Sequence, residues 1–133
     1  MNTRCRFVLA LGAGALAAPL ASFAQQKPAK VARIGFLGTA SASGIASRVE
    51  ALRAGLRDLG YVEGKNIVIE YRWADGKYER LPALAAELVQ LKVAVIVAAG
   101  APAIQAAQKA TTTIPIVMAG GGDPVGAGFV ASL

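Results

Sequence analysis

Three short segments of the sequence carry residue types that suit the recognition of a small molecule. They are Thr39–Ser43, Gly100–Ala103 and Gly120–Asp123. Hydroxyl groups in the first segment can donate hydrogen bonds to a carboxylate or phosphate, and glycines in the other two let a ligand approach the backbone closely. Ordinary loop composition would give the first segment the same residues, and a plain turn between a strand and a helix would explain the second.

Asp123 is the only acidic residue in these three segments, and two roles are open for it. Its carboxylate could bind a ligand ammonium group. It could instead cap a following helix, because Asp followed by Pro124 is a helix-start signature. Capping is the favoured interpretation.

The residue types exclude several classes of site. The chain has no histidine, and its single cysteine is Cys5. Once the leader described below is removed, zinc sites of the Cys/His type and histidine-assisted nucleophilic catalysis are excluded, so we expect no catalytic residues, no metal and no cofactor. The basic residues are scattered rather than clustered, which argues against a nucleic-acid surface. Gly126-x-Gly128 does not directly follow a strand, so a dinucleotide site is also disfavoured.

The first 24 residues have the pattern of a cleaved signal peptide. Arg4 and Arg6 precede the uncharged apolar stretch Phe7–Leu20, and small residues at Ser22 and Ala24 predict cleavage before Gln25. The 14-residue stretch is shorter than the roughly 18 residues that a membrane-spanning helix needs. Cys5 lies before the apolar stretch and not at the cleavage point, so we expect an exported protein that is not a lipoprotein.

The remaining sequence alternates between strand and helix patterns. Short apolar runs predict strands over 31–38, 67–73, 93–99 and 116–119. Periodic apolar residues predict helices over 45–59, 81–91 and 102–110, and the beginning of a fourth helix over 125–133. This alternation predicts an α/β fold, namely a Rossmann-like or flavodoxin-like parallel sheet of strand order 2-1-3-4. The period-two pattern of the second strand places it at an edge, and the continuous apolar run of the third places it centrally.

Residues at the ends of the predicted helices support these boundaries. Ser43 is a candidate N-cap of the first helix, and Gly60 is a candidate for the left-handed position that follows it. Pro82 and Pro102 fall in the first turns of the next two helices, where a missing N–H costs no hydrogen bond. The three candidate segments then all follow carboxyl ends of parallel strands, where open α/β sheets bind their ligands.

Longer stretches of the sequence resemble a known family. IGFLG at 34–38, GLRDLGYVEGKNIVIEYRWADGKYERLPALAAELV at 55–89 and GGDPVGAGFVASL at 121–133 are similar to ABC transporter substrate-binding proteins that are often labelled as tryptophan/tyrosine transport receptors. The resemblance implies a type I periplasmic binding protein fold, in which two lobes close over a ligand. Members are considerably longer, so residues 25–133 would be a partial, truncated N-terminal lobe.

The resemblance also implies a ligand site on the three segments. The implied ligand-binding residues are Thr39, Ala40, Ser41, Gly100, Ala101, Gly121, Gly122 and Asp123. A Thr-Gly-Thr-Pro pattern is common in the family where Ala99–Pro102 stands here. Two hydroxyl donors are therefore absent, and binding through this loop would use backbone N–H groups, which leaves the ligand open between an amino acid and a related organic anion.

The function implied is the periplasmic solute-binding component of an ABC importer. It would deliver a small-molecule ligand to a transporter permease, make membrane contact only through that permease and catalyse no reaction. Three alternatives remain: a ligand-sensing domain of a signalling system, a truncated non-functional fragment, and an enzyme of flavodoxin-like fold. A free, unanchored mature chain argues against the sensor.

Overall fold

The computed structural model describes residues 31–131, in which four strands alternate with three α-helices. The strands are β1 (Ala32–Gly38), β2 (Ile67–Trp73), β3 (Val95–Ala99) and β4 (Ile116–Met118). The helices are α1 (Ala46–Asp58), α2 (Leu81–Gln90) and α3 (Ala101–Ala110), and short 3₁₀ turns lie at Ser43–Ile45 and Tyr78–Arg80. The predicted signal peptide lies outside the described residues.

The four strands form one parallel sheet in the order β2-β1-β3-β4. This confirms the predicted fold class and strand order. The chain moves from β1 to one side of the sheet for β2 and then to the other side for β3. The strand order therefore reverses between β1 and β3, and such a reversal is where ligands bind in open parallel sheets.

The burial of each strand follows its position in the sheet. β1 and β3 each pair with neighbours on both sides, and the segments Phe36–Gly38 and Ile96–Ala99 are buried. β2 lies at the edge, where Ile67 and Ile69 are buried while the residues between and after them are half-buried. The predicted central and edge positions are both confirmed.

Helices cover both faces of the sheet. On one face, Leu88 of α2 and Ile104 of α3 pack in one core with Leu37 and Ile96 of the sheet. On the other face, α1 contributes Val49 to a second, smaller core. The members of that core from the sheet are Phe36, Ile69, Val97 and Ala99. Two helices therefore cover one face and one helix covers the other.

The two ends of α1 differ in how well the sequence predicted them. Gly60 has a φ of +89°, and its N–H donates to Arg57 O at 2.9 Å while the Tyr61 N–H donates to Leu56 O at 2.8 Å. These are the two bonds of a Schellman motif, so the predicted helix end is confirmed. The predicted N-cap is wrong: Ser43 opens the 3₁₀ turn, and Ile45 precedes α1 without a side-chain capping bond.

The helix predicted over 125–133 is wrong for the residues described. The segment after Asp123 is a series of turns, in which the Ala127 N–H donates to Asp123 O at 3.0 Å and the Phe129 N–H donates to Pro124 O at 2.9 Å. Gly128 has a φ of +75°, in the left-handed region, which does not continue a right-handed helix. Within residues 31–131, no helix has both the length and the apolar character required to cross a membrane.

Candidate ligand-binding site

The segments that follow β1 and β3 lie directly against each other at the carboxyl edge of the sheet. The Thr39 N–H donates to Ala99 O at 3.4 Å, and the Thr39 hydroxyl donates to the same oxygen at 3.4 Å. Gly100 has a φ of +99°, and a Cβ on it would stand 2.9 Å from Thr39 Oγ1. Only glycine fits this contact without strain, so its absence of a side chain lets the two segments meet.

The segment that follows β4 adjoins the same edge. The Gly100 N–H donates to Gly120 O at 3.3 Å. A Cβ on Gly121 would stand 2.8 Å from Ile104 Cδ1 and 3.9 Å from the backbone nitrogen of Ala101. The three predicted segments therefore form one continuous border along the carboxyl ends of β1, β3 and β4, which we call the rim.

The first turn of α3 supplies hydrogen-bond donors to the rim. Its first backbone bond within the helix runs from the Ile104 N–H to Gly100 O at 3.0 Å. The N–H groups of Ala101 and Ala103 precede that bond, and Pro102 has none. Because helix N-termini carry partial positive charge, this end of α3 suits a carboxylate or another anionic group.

Ser41 and Ala40 form the turn that leads from β1 to α1. The Gly44 N–H donates to Ser41 Oγ at 3.2 Å, and the hydroxyl oxygens of Ser41 and Ser43 lie 3.1 Å apart. The Ser41 hydroxyl thus closes this turn, whereas α1 itself begins at Ala46 without a side-chain cap. Thr39, Ala40 and Ser41 are all half-buried.

The Asp123 side chain accepts a hydrogen bond from the backbone of the residues that follow it. Its Oδ1 accepts a hydrogen bond from the Val125 N–H at 3.0 Å, and a Cβ on Gly126 would stand 2.6 Å from its Oδ2. This is the local bond that the capping interpretation predicts, although turns follow it instead of a regular helix. Gly121, Gly122 and Asp123 are exposed, so this part of the rim is open to solvent.

The sequence analysis missed one charged residue at the rim. The Arg48 Nη1 lies 3.6 Å from where a Cβ on Gly120 would stand. Arg48 is in the first turn of α1, which directly follows the first rim segment. Its position in that first turn was the available signal, since the amino end of a helix after a parallel strand points towards the carboxyl edge of the sheet.

A cluster of aromatic side chains lies beneath the first rim segment. Trp73 stacks on Tyr71 with 5.8 Å between ring centroids, and Phe36 is tilted against Trp73 at 5.3 Å. A Cβ on Gly38 would stand 2.7 Å from the Trp73 ring, so this ring supports the backbone that leads into Thr39. Sequence periodicity placed Trp73 on the edge strand but could not show this contact.

Two side chains at this cluster have raised pKa values. Burial raises the pKa of the Tyr71 hydroxyl, and the Arg53 guanidinium lies 5.5 Å from the centre of the Tyr71 ring. Hydrogen bonds to Glu50 and Glu63 raise the pKa of Arg53. These groups tie α1 to the edge of the sheet. Among residues 31–131, no three acidic, histidine or cysteine residues come together as a metal would require.

Residues 33–133 match the family model described as ABC transporter substrate binding protein. A protein of Clostridioides difficile (strain R20291) named tyrosine-binding protein is 41% identical over 78 residues. That alignment covers 59% of this chain and 23% of the relative. The chain therefore spans about a quarter of the length of the curated relative it matches.

Three solved structures share the fold of the described residues. A conserved domain protein from Vibrio cholerae O1 biovar eltor str. N16961 is 34% identical with a TM-score of 0.73. A ligand-free, open substrate-binding protein with adhesive properties from Clostridium difficile is 29% identical, with a TM-score of 0.72. An ABC domain from Streptococcus pneumoniae in complex with L-Trp is 27% identical, with a TM-score of 0.72. Each match covers 77–78% of this chain and 35% of the solved chain.

Proposed function

Because the chain belongs to the family of ABC transporter substrate-binding proteins, we propose that it supplies one ligand-binding lobe of an exported receptor for an amino acid. The receptor would bind this small molecule between two lobes and present it to an ABC permease. The observation that carries the proposal is the continuous rim formed by Thr39–Ser41, Gly100–Ala101 and Gly121–Asp123. The family is one of binding proteins and not of enzymes, and the proposed role involves no covalent step.

The rim suits the carboxylate of an amino acid. The first-turn N–H groups of α3 point to the carboxyl edge of the sheet, and Gly121 leaves the neighbouring backbone uncovered. The second segment of the rim carries no hydroxyl groups at Ala99 and Ala101, so backbone donors would hold the ligand there. An aromatic amino acid is the preferred candidate, since similar proteins are named for binding tyrosine or contain L-Trp.

Ligand binding would act by closing the receptor. A ligand that contacts both lobes favours the closed state by the difference between its affinities for the closed and open states. In this proposal the present rim supplies one half of the contacts and a second lobe supplies the other half. The closed form would then be the one that the permease recognises.

A thermal-shift screen of the full-length protein tests this function. L-Tyrosine, L-tryptophan, other amino acids and small organic anions are added in turn, and a ligand at 100 times its Kd should add about 2.7 kcal/mol to the free energy of unfolding. No shift with any of these compounds would contradict the proposal. A comparable shift in residues 25–133 alone would contradict the idea that half of the site lies elsewhere.

A pair of charge variants locates the binding site. Ala101→Glu places a carboxylate in the first turn of α3. There it interacts favourably with the helix dipole, which stabilises the helix, but it repels an anionic ligand. Gln105→Glu makes the same change of charge at an exposed position one turn further on. Binding should be lost in the first variant and retained in the second; equal binding by both would place the ligand away from the rim.

Export is proposed through the leader peptide of residues 1–24. The mature protein would begin at Gln25 and reside in the periplasm without a lipid anchor. N-terminal sequencing of the protein from a periplasmic fraction checks this directly, and a mature protein that begins at Met1 would contradict it.

A further inference from the structure

We propose that Arg48 is a specificity-determining residue that binds the anionic group of the ligand beside Gly120. The inference rests on the proposed function and deepens it, because it makes an organic carboxylate the class of ligand that the rim selects. Arg48 is a cation near the N-terminus of its own helix, where positive charge is unfavourable.

The first turn of α1 is an unfavourable place for a cation. Helix N-termini carry partial positive charge, which stabilises acidic residues there and destabilises basic ones. α1 has no acidic residue in its first turn, and Arg48 is the third residue of the helix. Arg57, by contrast, lies in the last turn, where a cation stabilises the helix.

Among residues 31–131, Arg48 and Arg57 have no carboxylate partner within 4.0 Å, whereas the other four arginines have one. Those four are Arg33, Arg53, Arg72 and Arg80. Local features that conflict with the stability of an element are expected mainly at functional sites. The repulsion between Arg48 and its helix would be relieved if an external anion supplied the missing negative charge.

The side chain of Arg48 is exposed beside the rim. Arg48 lines a groove together with Phe36, Leu52, Val97 and Val117, so apolar surface lies beside its side chain. The Arg48 Nη1 lies 3.6 Å from where a Cβ on Gly120 would stand; Gly120 has a φ of +76°, and both residues are exposed. A planar guanidinium can bind a carboxylate through two parallel hydrogen bonds. The neighbouring Gly121 adjoins the N-terminus of α3, because a Cβ on it would stand 3.9 Å from the Ala101 nitrogen.

Isothermal titration of the full-length protein with L-tyrosine and with L-tyrosinamide tests the role. The amide keeps the ring and the ammonium group but lacks the negative charge. Arg48→Gln should weaken the binding of tyrosine by about tenfold or more, because a hydrogen bond to a charged group is lost. Its affinity for tyrosinamide should stay within about twofold of the wild-type value, and Arg48→Lys should retain part of the preference for the acid.

Arg57→Gln is the matched control, since it removes the same charge from the opposite end of the same helix. It should leave the affinities for both probes unchanged. Equal binding of tyrosine by the Arg48→Gln variant and the wild type would overturn the inference, and so would an equal loss of both probes. Wild-type protein that binds neither probe would contradict both the proposed amino-acid ligand and the role of Arg48.

Discussion

At the scale of the residue, Gly100 decides whether two parts of the rim can meet. Its φ of +99° lies in the region that side chains disfavour, and the position of a Cβ would be only 2.9 Å from Thr39 Oγ1. Both observations require glycine: any other residue would strain the backbone at this φ, and its Cβ would clash with the Thr39 side chain. Gly55 is a useful contrast: it lies within α1, and a Cβ there would meet no atom within 4 Å.

Substitution of these two glycines should therefore have opposite effects. Gly100→Ala should lower the free energy of unfolding by about 1–3 kcal/mol through backbone strain and the contact with Thr39. Gly55→Ala should raise it by roughly 0.5–1 kcal/mol, because alanine restricts the unfolded chain and favours a helix. Urea denaturation measures both changes. A Gly100→Ala variant at least as stable as the wild type would contradict both constraints on position 100.

At the scale of the element, one side chain makes two hydrogen bonds within the connection between α1 and β2. Asn66 Nδ2 donates to Gly60 O at 2.9 Å, and Asn66 Oδ1 accepts from the Val62 N–H at 2.7 Å. The carbonyl of the Schellman glycine and the loop that follows it are thus linked to the start of β2. This explains why the turn GYVEGKN ends in asparagine, which offers a donor and an acceptor on one short side chain.

Asn66→Ala should lower the free energy of unfolding by about 1–2 kcal/mol, since both hydrogen bonds are removed from a site partly open to water. Asn66→Asp keeps an acceptor for the Val62 N–H but places a carboxylate oxygen against Gly60 O, so it should also lower the free energy of unfolding. Lys65→Ala, at the exposed neighbouring position, is the control and should change little. Chemical denaturation of the three variants gives the order of their stabilities. An Asn66→Ala variant as stable as the Lys65→Ala control would contradict the stabilising role of Asn66.

The sequence predicted the strands and the order of the sheet because each strand has a distinct pattern. The run VAVIVAA is apolar throughout and forms a central strand, whereas IVIEYRW alternates and forms an edge. Interactions between segments were not predictable in this way. Ser43 lies in a 3₁₀ turn that precedes α1 and does not cap the helix, and Arg48 lies near Gly120, which is remote in the sequence. The roles of the predicted rim residues in binding remain predictions.

At the scale of the whole molecule, the two faces of the sheet are unequally covered. Within residues 31–131, α2 and α3 cover one face, whereas α1 alone covers the other. A groove of about 410 Å³ remains beside α1, with Phe36, Leu52, Val97 and Val117 among its lining residues. Val117 of β4 is 51% exposed, which is unusual for an apolar residue in a sheet otherwise covered by helices. Open apolar surface of this kind marks either a contact surface or a risk of aggregation.

This imbalance predicts how residues 25–133 behave when they are prepared alone. The fluorescent dye ANS binds exposed apolar surface, so it should bind in the groove, and Val117→Ser should reduce its fluorescence. Val125→Ser is the matched control, because Val125 is 39% exposed and does not line the groove. The full-length protein should bind less dye if its remaining residues cover this face, as the greater length of the solved relatives suggests. Equal dye fluorescence from the Val117→Ser and Val125→Ser variants would show that the dye does not bind in the groove. Equal dye binding by the full-length protein and by residues 25–133 would show that no other part of the protein covers the groove.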